Sequence, residues 1–189
     1  MTYFLRSLKR KNFQLEKNEH VFNKVLFESW KNNNAVAKLP EAIYTFKKFS
    51  FWRSKYVITK NDYPIGLITS NWKGRLFFKL LVKEYEDADL VPDNIAIENF
   101  EKKLEQQETI TYTMRSRGVF KIRYEIFLEE TPKPILTFYS KSKWFKVNYE
   151  VVIHEPEKLF FSTEALINMF GYGAFLIRQR RAAAGAAAS

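Results

Sequence analysis

From Phe120 onward the chain alternates: Phe120, Ile122, Tyr124, Ile126 and Leu128 are apolar, while Lys121, Arg123 and Glu125 between them are charged. A period of two places one set on the buried face of a strand and the other on its outer face. The same texture occurs earlier, with Trp52, Tyr56 and Ile58 alternating with Arg53, Lys55 and Val57. The two stretches align without a gap. Tyr44 and Thr45 recur as Tyr112 and Thr113, Phe46 as Met114, Trp52 as Phe120, Tyr56 as Tyr124 and Ile58 as Ile126. Proline-bearing turn clusters follow at equivalent places, NDYPIG at 61–66 and EETPKP at 129–134. Next come short strands, IGLITS and ILTFYS, and tight polar turns, NWKGR and KSK. A fourth strand closes each copy, with Leu76, Phe78, Leu80 and Val82 in the first and Phe145, Val147, Tyr149, Val151 and Ile153 in the second. Each copy reads as a four-stranded antiparallel meander, over 44–83 and 112–154.

Elsewhere the period changes. Between Glu19 and Asn33 the apolar residues Val21, Phe22, Val25, Leu26 and Trp30 fall at helical spacing, and NNN at 32–34 ends the run. This predicts a helix within an N-terminal extension, 1–40. The insertion at 84–108 is dense in carboxylates. Pro92 and Asp93 open a helix there, whose thin apolar stripe is Ile97, Phe100 and Leu104. Its negative outer face is expected to cover the basic strands through salt bridges. After the second copy, STEAL supplies a capping box for a C-terminal helix over 162–181. In ALINMFGYGAFLI that helix is apolar all round, so protein or lipid must surround it. Gly171 and Gly173 cost helix propensity, which points to close approach by neighbouring groups. The basic RQRR suits the negative pole of a helix end. The low-complexity tail, 182–189, is left out of this reading. The fold class is therefore mainly β (α+β): duplicated antiparallel four-stranded meanders in one domain, 41–181. They form a barrel-like layer around the hydrophobic C-terminal helix, with N-terminal and middle helices added.

Composition narrows the chemistry. The 189 residues include no cysteine and two histidines, His20 and His154. Disulfides, thiol catalysis and cysteine-ligated metals are excluded, and histidine chemistry is poorly supplied. No metal or other cofactor is expected. Asp62, Glu129 and Glu130 sit in turns, where carboxylates ordinarily serve local backbone hydrogen bonds. His154 has no evident acid–base partner, SNWKG is no phosphate loop, and the expectation is that the protein is not an enzyme. The start of the chain lacks the apolar core of a secretory signal, and the longest apolar run, which carries Asn168, is too short to cross a bilayer.

The formal charge of +10 concerns partners. Paired cations stand on the outer faces of both copies, Arg53 with Lys55 and Lys121 with Arg123, and the turns add Lys73, Arg75, Lys141 and Lys143. Such stripes are candidates for binding phosphates of lipid or nucleic acid. Trp72 and Trp144, beside those turns, are candidate aromatic contacts, for a membrane interface or for unpaired bases. Packing beneath a helix is the competing account of the tryptophans and of Phe77 and Leu81.

FSFWRSKYVITKNDYPIGLI and GYGAFLI together resemble the tubby-like group that includes the LURP-one-related proteins and the phospholipid scramblases, over roughly 43–181. The resemblance implies a twelve-stranded barrel filled by the C-terminal helix, against the eight strands read above. It further implies a non-catalytic binding protein, cytoplasmic or peripheral to a membrane, that meets anionic lipid headgroups or an acidic partner. The order of four strands and a helix, twice over, is also similar to Whirly and PUR single-stranded nucleic-acid binders, although no lysine–glycine–lysine motif is present. The place of the C-terminal helix separates the two: enclosed by strands in the first, packed on an outer surface in the second.

Overall fold

Alternation in this chain is more extensive than the sequence reading allows. The computed structural model describes residues 2–9, 11–29, 32–49, 55–82, 97–118, 121–129, 131–141 and 148–186. Twelve strands run through them. They are β1 (Tyr3–Ser7), β2 (Phe13–Lys17), β3 (His20–Phe27), β4 (Ala35–Lys38), β5 (Ile43–Lys48) and β6 (Tyr56–Lys60), then β7 (Tyr63–Ser70), β8 (Leu76–Leu81), β9 (Thr109–Arg117), β10 (Arg123–Leu128), β11 (Leu136–Ser140) and β12 (Asn148–Ile153). Each pairs antiparallel with the next, and β12 returns to β1 through Tyr3↔Val151 and Leu5↔Tyr149, so the sheet is a closed barrel. Closure leaves no strand edge open to pairing with another chain.

The inward faces are those that the alternation marks: Tyr56 and Ile58, Leu76, Phe78 and Leu80, Tyr124 and Ile126, Tyr149 and Val151 are all buried. What they bury is helix α2 (Thr163–Ala186), in which Leu166, Ile167, Met169, Phe170 and Tyr172 have no exposed surface. The helix meets the wall on several sides. Tyr172 stacks on Phe46 of β5 and Phe27 of β3, and Phe170 packs edge-on against Phe78 of β8 and Tyr112 of β9. The glycines are where the fit is closest. A Cβ on Gly173 would lie 2.6 Å from Phe78 Cζ, and one on Gly171 would lie 2.9 Å from Leu5 Cδ1.

Helix α2 runs on through Ala182–Ala186, so part of the segment set aside as a tail is helical, and Arg178–Arg181 stand more than a turn before the helix end. The macrodipole, felt within the last turn, does not account for them. Arg181 Nη2 instead donates to Ser116 Oγ at 2.6 Å, and Asn33 Nδ2 donates to Gln179 Oε1 at 2.7 Å. At the start of α2, Ala165 N–H donates to Ser162 Oγ at 3.4 Å. Glu164 turns to Lys17 Nζ (2.7 Å) and Tyr3 Oη (2.8 Å) rather than back to its own cap.

The N-terminal helix predicted over Glu19–Asn33 is not formed. His20–Phe27 is strand β3, and residues 1–40 supply four barrel strands rather than an extension. Two features disguised it. A bulge between Leu15 and Glu16 in the pairing with β2 shifts the register. In β3 the buried set includes Asn23, while Val21 and Leu26 face outward at 52% and 47% exposure. Apolar residues on both faces mimic helical spacing.

Helix α1 (Ile97–Gln106) lies outside the barrel, where Phe100 and Leu104 bury themselves with Leu67 of β7 and Leu81 of β8. Leu81 is therefore covered by a helix, and Lys55 pairs with Glu101 on that helix.

The register of β1 with β2 occurs three times around the barrel, and that of β2 with β3 twice. Phe13↔Val25 and Leu15↔Asn23 match Tyr56↔Ile68 and Ile58↔Gly66, bulge included. Tyr44↔Lys60 and Phe46↔Ile58 match Tyr3↔Lys17 and Leu5↔Leu15, and again Tyr112↔Leu128 and Met114↔Ile126. Asn18, Asn61 and Glu129 share a positive φ of 47°, 49° and 48°. The N–H of each donates across its hairpin, to the carbonyls of Thr2, Ile43 and Thr111. A side chain in that left-handed region is uncommon outside turns, so the three sites are equivalent positions just past the ends of β2, β6 and β10.

Candidate cationic barrel end

Antiparallel succession sends every second connection to the same end of a barrel. The connections β1–β2, β3–β4, β5–β6, β7–β8, β9–β10 and β11–β12 all open at one end, towards which α2 runs from Thr163. Their described residues contribute Lys9, Lys11, Lys55, Lys73, Arg75, Lys121 and Lys141 against one carboxylate, Glu28. Helix α2 adds Arg178, Arg180 and Arg181. The opposite end carries both signs, with Glu19, Glu41, Asp62 and Glu129 among Lys17, Lys60 and Lys133. Among the described connections, cations therefore outnumber carboxylates at one pole.

The turn between β7 and β8 shows how this pole is built. Asn71 accepts from Gly74 N–H through its carbonyl (3.1 Å) and from Arg75 N–H through Oδ1 (3.1 Å). Gly74 takes a φ of 74° with nothing near a would-be Cβ, so backbone conformation and not space requires glycine there. The tight turn pushes Trp72 outward to 90% exposure, with Lys73 Nζ 4.9 Å from its ring centroid. Phe49, 45% exposed, follows β5 at the same pole.

The cations singled out from sequence separate into two groups. Lys55 pairs with Glu101. Arg123 Nε reaches Glu125 Oε1 at 2.8 Å, and Lys141 Nζ reaches Glu150 Oε2 at 2.7 Å. Glu125 also takes Arg117 Nε at 3.0 Å, so the outer face of β10 is an internal charge network. Lys73, Arg75 and Lys121 have no ion pair among the described residues. Arg53, Lys143 and Trp144 lie outside the described residues, as do Trp52 and Phe120 of the repeat. Of the weakly placed catalytic types, Asp62 occupies a tight turn and His154 Nε2 meets Thr137 Oγ1 at 3.0 Å.

Sequence reasoning missed the residues where α2 leaves the barrel. Between α2, β1, β2 and β12 lies a cavity of about 580 Å³, walled by Leu5, Phe13, Tyr149 and Phe175 and bordered by Lys9, Lys11 and Arg178. Lys11 Nζ donates to Asn32 O and Asn33 Oδ1, both at 3.2 Å, and sits 5.8 Å from the Phe175 ring centroid. Burial lowers its ammonium pKa from the ordinary value. The available signal was RQRR following the buried apolar run, which put cations next to a hydrophobic interior.

Among the described residues no cluster of histidine and carboxylates could hold a metal ion, and no helix is long and apolar enough to cross a membrane. Comparison with protein-family models, curated proteins and solved structures finds no match to this chain.

Proposed function

We propose that this protein is a non-catalytic, tubby-like binding protein that docks its cationic barrel end on anionic lipid headgroups, peripherally and from the cytoplasmic side. The observation that carries the reading is Trp72, 90% exposed beside Lys73 and Arg75, which have no ion pair among the described residues, at the pole where the described basic residues gather. An indole projecting from a cationic surface suits the headgroup layer, where its ring is partly desolvated while the lysines meet phosphate. Each basic residue near an anionic leaflet adds about 1 kcal/mol. Enclosure of α2 by twelve strands supports the tubby-like reading over the Whirly-like one. So does the pairing of the strand-face cations Lys55 and Arg123 with carboxylates, since a nucleic-acid strand laid along those faces would have to displace them.

The recurrent register supports a duplicated origin of the sheet, extended from two meanders to three.

Co-sedimentation with phosphatidylcholine vesicles, with and without a phosphoinositide, tests the docking. Wild type should pellet only with the anionic vesicles, and less so as salt is raised. A Trp72→Ala/Lys73→Glu/Arg75→Glu variant should remain in the supernatant with an unchanged circular dichroism spectrum. Vesicle binding that survives the triple substitution, or salt-sensitive binding to oligonucleotides alone, would overturn the proposal.

A further inference from the structure

We infer that the cavity beside α2 holds the hydrocarbon tail of a single-chain anionic amphiphile, whose carboxylate or phosphate head is met by Lys9, Lys11 and Arg178. The inference goes beyond vesicle docking and does not depend on it. The volume, about 580 Å³, lies within the range of small-molecule sites, and the deep wall formed by Leu5, Phe13 and Phe175 is hydrocarbon. Among the described residues no aspartate or glutamate lines the cavity. The head and tail of the ligand follow from this division, because an apolar slot with three cations at its mouth complements a molecule that is oily along its length and negative at one end. Lys11 is held by two neutral acceptors, Asn32 O and Asn33 Oδ1, so one of its three N–H donors and its whole charge remain for an incoming anion. Arg178 is exposed at the mouth and has no ion pair among the described residues.

The mouth offers a substitution that does not disturb the core. Ala182 borders the cavity on an exposed helical position, so Ala182→Trp should obstruct entry while the barrel still folds. Displacement of dansyl-undecanoate from the full chain would be followed with palmitate, palmitoyl lysophosphatidate and hexadecanol. Wild type should bind both anions in the micromolar range and the alcohol more weakly. Lys11→Gln/Arg178→Gln should weaken both anions by about tenfold or more and leave the alcohol unchanged. Ala182→Trp should weaken all three. A preference between the two anions identifies the head as carboxylate or phosphate. Absence of binding, hexadecanol binding as tightly as palmitate, or wild-type affinities in both variants would overturn the inference. The Trp72→Ala/Lys73→Glu/Arg75→Glu variant should still bind palmitate and Ala182→Trp should still bind vesicles, which keeps the two readings separable.

Discussion

Asn23 on β3 and Asn168 on α2 form a buried reciprocal amide pair, each Nδ2 donating to the other's Oδ1 at 3.2 Å. Asn168 Nδ2 also donates to Glu164 O at 2.7 Å, one turn back. The pair fixes how α2 is rotated and how far it is inserted, a constraint that hydrophobic contact alone does not provide. Removing one member strands the other. Asn23→Leu should cost about 1–3 kcal/mol in chemical denaturation, whereas Asn23→Leu/Asn168→Leu should recover much of that loss. Additive losses in the double-mutant cycle would show that the two amides act independently. From sequence, Asn168 was legible only as a polar interruption of an apolar run. Its partner lay in a segment read as helix, so the pair was invisible.

At the scale of elements, legibility followed cleanness of period. The strands around Tyr124 and Leu76 were readable because their inward residues, Tyr124 and Ile126 in one and Leu76, Phe78 and Leu80 in the other, recur at every second position. Strand β3 was not, because its bulge and outward Leu26 broke the alternation. The hairpin KNEH beside it carried the same left-handed turn as KNDY, at Asn18 and Asn61. That parallel was the unused signal. The candidate site was half legible. Lys73, Arg75 and Trp72 could be marked from composition and turn chemistry, but their convergence with Lys11 and Arg178 depends on strand order across the whole chain. Helix α1 is the separable element. Among the described residues its hold on the barrel is the small cluster of Phe100, Leu104, Leu67 and Leu81, with Val57 packed against it, and the Lys55–Glu101 pair. Leu104→Ala should cost about 2–5 kcal/mol in α1 docking. It should raise amide exchange in Ile97–Gln106 while leaving exchange in β10 and β12 unchanged. Equal loss of protection in those strands would mean that α1 is integral to the barrel.

For the whole molecule the decisive contact is β1 with β12, which joins the first and last strands. Deleting residues 2–8 would expose the edges of β2 and β12 together. Size-exclusion chromatography should then show oligomers or aggregate in place of the wild-type species. An unchanged elution profile would show that the remaining strands close without β1. The order of elements has a further consequence during translation. Every wall strand leaves the ribosome before the helix that fills the space between them. At roughly 5–20 residues per second, the 24 residues of α2 take about 1–5 s to synthesise. For that interval the nascent chain presents a set of greasy strands with no centre to pack on, the kind of species that holdase chaperones bind.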